Sequence, residues 1–168
     1  AYRTQALIMA LSHLLRYSLM SNDEQVPLSR EVRIVDEYYS IYHVRFGERV
    51  QMEWRISDSI DLTETLVPSF ILQPIVENAF KHGISPTEPS FVHISLNVTD
   101  GDIRFTTTNS NYPKSQADKA GSGIGLKQVE SRLRLAYPER HTWHHGVTDD
   151  GKVYLSSILI YSSKEQPI

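Results

Sequence analysis

The chain of 168 residues contains no cysteine. That absence excludes disulfide bonds, zinc sites built on thiolates and cysteine nucleophiles, and it agrees with a cytoplasmic environment. No apolar run reaches about eighteen residues and no signal peptide is present, so we expect no membrane-spanning segment here. Positive charge is not in excess either, because the formal net charge is -3. Charge therefore gives no argument for nucleic-acid binding.

Hydrophobic residues make up 40% of the chain and charged residues 22%. These proportions are typical of a globular protein, and the length suits one domain with a short added element. The sequence begins inside a predicted helix, so we expect it to be a piece of a longer protein.

The most informative stretch is Pro68–Gly83. Wound as a helix at about 100° per residue, it collects apolar side chains on one arc and polar side chains on the rest. The apolar arc holds Leu72, Ile75, Val76, Ala79 and Phe80, and the polar remainder holds Gln73, Glu77, Asn78, Lys81 and His82. Such a polar face suits a metal-bound polyphosphate. An ordinary solvated face with a Glu77–Lys81 ion pair would give the same pattern.

A second stretch favours the polyphosphate interpretation. Gly121-Ser122-Gly123-Ile124-Gly125-Leu126 runs directly into a helix predicted over residues 123–137. Glycines allow the backbone to approach a ligand closely, and the free N–H groups of a helix start favour an anion. Turns and helix caps also use glycine, so it is the combination of the two stretches that points to a nucleotide.

These two stretches also carry a family resemblance. Glu77-Asn78-Ala79-Phe80-Lys81-His82-Gly83 resembles the N-box of the GHKL ATP-binding proteins, and Gly121 to Leu133 resembles their glycine-rich G2 box. Within that superfamily the chain most resembles sensor histidine kinases of the LytS/YesM type. Supporting features are Leu-Leu-Arg-Tyr-Ser-Leu at residues 14–19, Gln73-Pro74, and Arg132-Leu133. The resemblance extends from about residue 7 to about residue 161.

The remaining periodicity predicts the element order α–α–β–α–β–β–loop–α–β–β. Helices are predicted over residues 4–20 and 27–46, and strands over 50–56, 92–98, 103–106, 141–148 and 152–161. Amphipathic strands call for helices on one face of the sheet, which makes an α/β two-layer sandwich. The resemblance identifies this as the Bergerat (GHKL) fold, with a mixed, largely antiparallel sheet. It assigns residues 1–22 to the dimerisation and phosphoacceptor helix region, 23–161 to the catalytic domain and 162–168 to a tail.

The resemblance implies the ATP-binding catalytic domain of a two-component sensor histidine kinase, which transfers the γ-phosphoryl group of Mg-ATP to a histidine. The surroundings of His13 do not resemble the acceptor box, so we expect the acceptor outside this chain and no autophosphorylation by this part alone. The implied partners are a response regulator and a second copy, forming a homodimer through helices only partly present. The implied location is the cytoplasmic side of an inner-membrane sensor, reached through segments outside this chain.

The resemblance also implies roles for individual residues. Asn78 would bind Mg²⁺ together with the nucleotide, and Glu77 would polarise the attacking nucleophile. Lys81 and His82 would contact phosphate or sugar, although a solvated face explains them equally well. The phosphates would be surrounded by Gly121, Gly123, Ile124, Gly125, Leu126 and Lys127.

One departure from the family concerns the G1 box, usually Asp-x-Gly-x-Gly, which here reads Thr108-Asn109-Ser110-Asn111. Asn109 can accept a hydrogen bond from the adenine amino group, but without charge assistance, so we expect a weaker contact. The departure favours one alternative, a degenerate signalling module that does not catalyse. A second alternative is a GHKL ATPase that hydrolyses ATP with water.

Overall fold

A computed structural model describes residues 4–5, 8–9, 12, 25–57, 62–112 and 124–162. Residues 4–5, 8–9 and 12 are helical, as predicted, whereas His13 and the rest of that predicted helix lie outside the described residues. The elements are, in chain order, β1 (Gln25–Pro27), α1 (Leu28–Phe46), a 3-10 turn (Gly47–Arg49), β2 (Val50–Ile56), β3 (Leu66–Pro68), α2 (Gln73–Gly83), β4 (Ser90–Thr99), β5 (Asp102–Ser110), α3 (Ile124–Ala136), β6 (His141–Val147) and β7 (Val153–Ile160).

The main sheet has five strands in the order β2-β4-β5-β7-β6. β2 runs parallel to β4, and every other pairing in this sheet is antiparallel. β4 and β5 are joined through Asp100 and Gly101, whose φ angles of 53° and 85° suit a tight hairpin turn. The predicted mixed, largely antiparallel sheet is therefore confirmed. A short antiparallel ribbon of β1 and β3 accompanies it.

The core lies between one face of this sheet and the helices. Alternate residues of β4 and β5 are buried, among them Val92, Ile94, Leu96, Ile103 and Phe105. The predicted apolar arc of α2 is buried against them, with Ile75, Val76, Ala79 and Phe80 each at most 1% exposed. α3 contributes Val129 and Leu133 to the same cluster. The predicted two-layer α/β sandwich with helices on one face is confirmed.

The start of α2 differs from the prediction. The apolar and polar pattern predicted a helix from Pro68, but Pro68 ends β3, a turn occupies Ser69–Leu72, and the helix begins at Gln73. Phe70 in this turn has a φ of 59°, which a helix cannot contain. The N–H groups of Ile71 and Leu72 donate to the side chain of Glu31 in α1. This tertiary contact supplies partners for two N–H groups just before the helix.

β4 and β5 are longer than predicted: β4 begins two residues before the predicted 92, and β5 continues four residues past the predicted 106, because residues 107–110 also pair with β7. The remaining predicted boundaries agree closely with the structure. α1 and α3 begin and end within one residue of their predicted limits, and so do β6 and β7. Within the described ranges, none of the helices combines the length and the apolarity that crossing a membrane requires.

Candidate functional site

The polar residues of α2 face two different neighbours. Asn78 and His82 are half-buried, whereas Glu77 and Lys81 are exposed. Successive helical residues are about 100° apart, so Glu77 and Asn78 cannot point the same way. The contacts of the residues one turn earlier and later show which helix each side of α2 approaches.

Asn78 lies on the side of α2 that approaches α3. A Cβ added at Gly125 would stand 3.3 Å from the Cβ of Pro74, so the first turn of α3 packs against the first turn of α2. Asn78 follows Pro74 by four residues and therefore lies on the same face of α2. The beginning of α3 carries the N–H groups that a helix leaves unpaired in its first turn. The structure thus brings Asn78 towards the helix that follows the glycine-rich stretch.

The glycine-rich stretch is only partly described. Gly121 and Gly123 lie outside the described residues, as does the side chain of Ile124. Gly125 and Leu126 are half-buried in the first turn of α3, and Lys127 is exposed there. α3 begins at Ile124, so the prediction that a helix directly follows the glycines is confirmed.

Asn109 lies at the other end of α2, beneath its last residue. A Cβ added at Gly83 would come within 2.8 Å of the Asn109 Cβ, so α2 and β5 meet there at close range. Asn109 is completely buried, and its Nδ2 donates to the carbonyl of Ser110 at 2.9 Å. Its Oδ1 is buried and has no hydrogen-bond partner among the described residues. Five other buried side-chain atoms of the described residues also have no partner, so this atom is free to accept a hydrogen bond but does not by itself mark a ligand site.

Ser110 fixes the same junction. Its hydroxyl donates to the carbonyl of Gly83 and accepts a hydrogen bond of 3.0 Å from the N–H of Phe91. The following backbone continues over α2, because the N–H of Tyr112 donates to the carbonyl of His82 at 3.3 Å. The end of β5 and the last turn of α2 therefore form one connected unit.

Glu77 lies on the side of α2 that approaches α1. Gln73, Glu77 and Phe80 share a face, since they are spaced by four and three residues. Gln73 Nε2 donates to the Tyr38 hydroxyl at 3.4 Å, and Phe80 stacks on Tyr42 with ring centroids 4.3 Å apart. Glu77 is between these two contacts and therefore faces Tyr38 and Tyr42. The structure consequently separates the two residues that the sequence predicted to be catalytic.

The surroundings of Glu77 change its own pKa, and its charge changes that of Tyr38. Burial raises the pKa of the Glu77 carboxyl above its ordinary value, and the positive charge of Lys81 offsets part of the rise. Because the residue remains exposed on its outer side, water limits the size of this effect. Burial, followed by the negative charge of Glu77, raises the pKa of the Tyr38 hydroxyl. These effects agree with a carboxyl group placed against α1.

Among the residues that the structure describes, the two most deeply buried charged side chains are those of Glu31 and Arg132, and the sequence did not single them out. Glu31 is 1% exposed and Arg132 is 8% exposed. Glu31 entered only as a residue of the helix predicted over 27–46, and Arg132 only as part of the family resemblance. Neither shows a local sequence signal of burial, because their partners in the Ser69–Leu72 turn are about forty or more residues away.

Comparison with known proteins identifies sensor kinases. Residues 1–50 match a family model described as histidine kinase. The sensor histidine kinase YpdA of Escherichia coli (strain K12) is 31% identical, over 79% of this chain and 25% of its own length. The sensor protein kinase HptS of Staphylococcus aureus (strain USA300) is 33% identical, over 79% of this chain and 22% of its own length. The chain thus spans about a quarter of the curated relatives that it matches.

Solved structures with a similar fold are also histidine kinases. The nucleotide-free catalytic domain of the histidine kinase ThkA has a TM-score of 0.54 and 13% identity, with 82% of this chain and 97% of that domain covered. Full-length ShkA in complex with AMPPNP has a TM-score of 0.56 and 18% identity, with 95% of this chain and 36% of ShkA covered. At such identities the likeness shows the shared fold.

Proposed function

Because this chain belongs to the histidine kinase family, we propose that it serves as the ATP-binding catalytic domain of a sensor kinase of the LytS/YesM type. In this proposal the whole protein transfers the γ-phosphoryl group of Mg-ATP to a histidine outside the catalytic domain, residues 23–161. A response regulator then receives the signal. A homodimer, and a position on the cytoplasmic side of an inner-membrane sensor, belong to the same proposal. The word "sensor" in the names of YpdA and HptS supports it.

The observation that carries the proposal is the packing of the first turn of α3 on the first turn of α2, with 3.3 Å from an added Gly125 Cβ to Pro74. It brings together the two stretches that resemble the N-box and the G2 box. Phosphoryl transfer depends mainly on positioning and on neutralising charge, so such a meeting of phosphate-binding elements is what the reaction needs.

The residues present fit an adenine nucleotide. The buried Oδ1 of Asn109, which has no partner among the described residues, can accept a hydrogen bond from the adenine amino group. N–H groups at the start of α3 and the exposed Lys127 can bind phosphate. Lys81 and His82, in the last turn of α2, would add further contacts to phosphate or sugar, as would Gly121 and Gly123.

Mg²⁺ would be held mainly through the nucleotide. No group of three or more acidic or histidine side chains that could hold a metal occurs in the part of the chain that the structure describes. Mg²⁺ usually takes one or two protein ligands and completes its shell with phosphate oxygens and water. Asn78 would supply a neutral oxygen of this kind. When bound, ATP would supply the phosphoryl group, and Mg²⁺ would supply positive charge that offsets the negative charge of the phosphates.

Glu77 faces α1, so its proposed part in polarising the attacking nucleophile requires that the nucleophile arrives from that side. The raised pKa of its carboxyl would make the carboxylate a stronger proton acceptor than an ordinary glutamate. Asn78, on the α3 side, would act on the nucleotide. The two neighbouring residues would thus serve the two reactants from different directions.

A second candidate is a signalling module that does not need nucleotide. The observation that favours it is Ser110, which stands within the altered G1 box and ties β5 to the carbonyl of Gly83. Asn109 Nδ2 is likewise engaged with the protein itself. A module of this kind would keep the fold and show no saturable binding of ATP.

Calorimetric titration of variants with ATP, with and without Mg²⁺, separates these candidates. Asn78→Ala should remove the strengthening of ATP binding by Mg²⁺, because it deletes the proposed metal ligand. Asn97→Ala, which alters an exposed asparagine on β4, is the matched control and should retain it. A folded Asn78→Ala protein with the full effect of Mg²⁺ would contradict the metal assignment.

A further inference from the structure

The Ser69–Leu72 turn, which leads into α2, is held from two sides by buried charged side chains. From α1, Glu31 Oε1 accepts the N–H of Ile71 at 2.7 Å and that of Leu72 at 3.2 Å. From α3, the guanidinium of Arg132 donates to the carbonyl of Ser69. Three helices therefore meet at one turn of four residues.

The conformation of this turn requires such support. Phe70 has a φ of 59°, in the left-handed region that side chains other than glycine's rarely adopt, and it is 3% exposed. A strained backbone persists only where its surroundings leave it no alternative. Here the N–H groups after Phe70 and the carbonyl before it are all taken by Glu31 and Arg132.

The charges on these two side chains also favour each other. Burial raises the pKa of the Glu31 carboxyl, while the N–H groups of Leu72 and Ile71 and, less strongly, the charge of Arg132 oppose the rise. Removal of either side chain would leave buried polar groups of the turn unpaired, which is more costly than losing a surface pair. The arrangement thus behaves as one unit, which we call the turn clamp (Glu31, Arg132 and residues 69–72).

We propose that Glu31 and Arg132 are positioning residues of the nucleotide site, which set the placement of the start of α2 relative to α3. Arg132 is seven residues after Gly125 on α3, and the turn that it holds comes directly before Gln73 and Pro74. The clamp therefore fixes the contact between Pro74 and Gly125, and with it the location of Asn78 beside the first turn of α3. This inference rests on the proposed function.

The clamp also connects α1 to the site. Glu31 lies in the first turn of α1, and the helix continues from there to Phe46. Because α1 is a single helix of 19 residues, a displacement of its first turn would be transmitted to the Ser69–Leu72 turn and so to α2. The clamp would then couple the geometry of the nucleotide site to the position of α1.

The test uses Arg132→Met, with Arg134→Met as the matched control. Arg134 is on the same helix, with a side chain 74% exposed, and pairs with Glu130 across one turn. Two readouts are made at a temperature where unfolding curves show every variant folded: the Kd for Mg-ATP, and the distance between spin labels at Val44→Cys and Leu135→Cys. Both labelled positions are exposed, on α1 and α3, and the natural chain has no cysteine to compete for label.

We expect Arg132→Met to weaken Mg-ATP binding about tenfold, as it would if only about one tenth of the molecules kept α2 in the binding arrangement. We also expect a broader distribution of the Val44–Leu135 distance. Arg132→Lys should recover part of both losses, because an ammonium group can still donate to the Ser69 carbonyl. Arg134→Met should change neither. If Arg132→Met fails to fold, Glu31→Leu replaces it. This change removes the oxygen that accepts the N–H groups of Ile71 and Leu72, so it should change both readouts in the same direction.

Unchanged affinity and unchanged distances in a folded Arg132→Met or Glu31→Leu protein would overturn the inference. The distance measurement needs no nucleotide, so it remains decisive if the natural chain does not bind Mg-ATP at all. In that case the proposed function fails, a broadened distance distribution still supports the clamp, and an unchanged one overturns it.

Discussion

Replacing Gly83 with alanine tests the junction between α2 and β5, on which the proposed adenine contact of Asn109 depends. The added methyl carbon would stand 2.8 Å from the Cβ of Asn109, 3.1 Å from its Nδ2 and 3.2 Å from Cγ2 of Val92. Asn109 and Val92 are both buried in adjacent strands, so neither can move away freely. Overpacking of this kind costs about 1–3 kcal/mol. Alanine regains about 0.5–1 kcal/mol through its better helix propensity.

The net expectation is a loss of about 1–2 kcal/mol in the free energy of unfolding, with the clash outweighing the propensity. Urea denaturation followed by tryptophan fluorescence measures it. A double-mutant cycle with Asn109→Gly isolates the clash, because that change removes both nearest atoms and should give a coupling of about 1 kcal/mol or more. The account of this junction would be refuted if the Gly83→Ala protein were as stable as the natural chain. A coupling energy of zero between Gly83→Ala and Asn109→Gly would refute it as well.

Three further predictions concern buried polar groups. Burial raises the folded-state pKa of Glu31 above its ordinary value of 4.5, so its contribution to stability is present at acid pH and falls as pH rises from 4.5 through the raised pKa. Urea unfolding measured across this range should show that the free energy of unfolding of the natural chain falls relative to that of Glu31→Gln as pH rises. Profiles that stay parallel would contradict this. Asn109→Asp should destabilise the empty domain by about 1–3 kcal/mol, since a carboxylate oxygen would replace the donor to the Ser110 carbonyl. The same change should tighten ATP binding in calorimetry, and weaker binding would count against the adenine placement. Ser110→Ala should cost about 1–3 kcal/mol because the N–H of Phe91 loses its partner, whereas Ser157→Ala should cost less; equal losses would be inconsistent with that bond.

Much of the fold follows from patterns that the backbone itself imposes. The alternation in β4 and β5 predicted which residues are buried, because successive strand residues point to opposite faces. The apolar arc of α2 was predicted for the same kind of reason, and α1 ends at Phe46 as predicted. Short runs of turn residues join the strands of each antiparallel hairpin, and so short a connection leaves each strand few other strands to pair with.

The sequence could not show what depends on distant partners. The Ser69–Leu72 turn continues the helical pattern, yet Glu31 and Arg132 hold it in another conformation. The ribbon of β1 and β3 has strands of three residues, which are too short for a periodic pattern.

The directions of Glu77 and Asn78 illustrate the same limit within the site. Helical spacing places them on different faces, but only the tertiary contacts show that one faces α1 and the other α3. The family resemblance predicted that the helix of the N-box and the start of α3 lie together, and the packing of Gly125 on Pro74 agrees with it. It grouped Glu77 with Asn78 because they are neighbours in the chain.

Titration of the unaltered chain with ATP by calorimetry, with and without Mg²⁺, tests the central claim most directly. The proposed function predicts saturable binding that strengthens when Mg²⁺ is present, because Asn78 and the nucleotide phosphates would share the metal. Absence of binding up to millimolar ATP, in a protein shown to be folded by its unfolding curve, would contradict a nucleotide-binding catalytic domain and favour the signalling module.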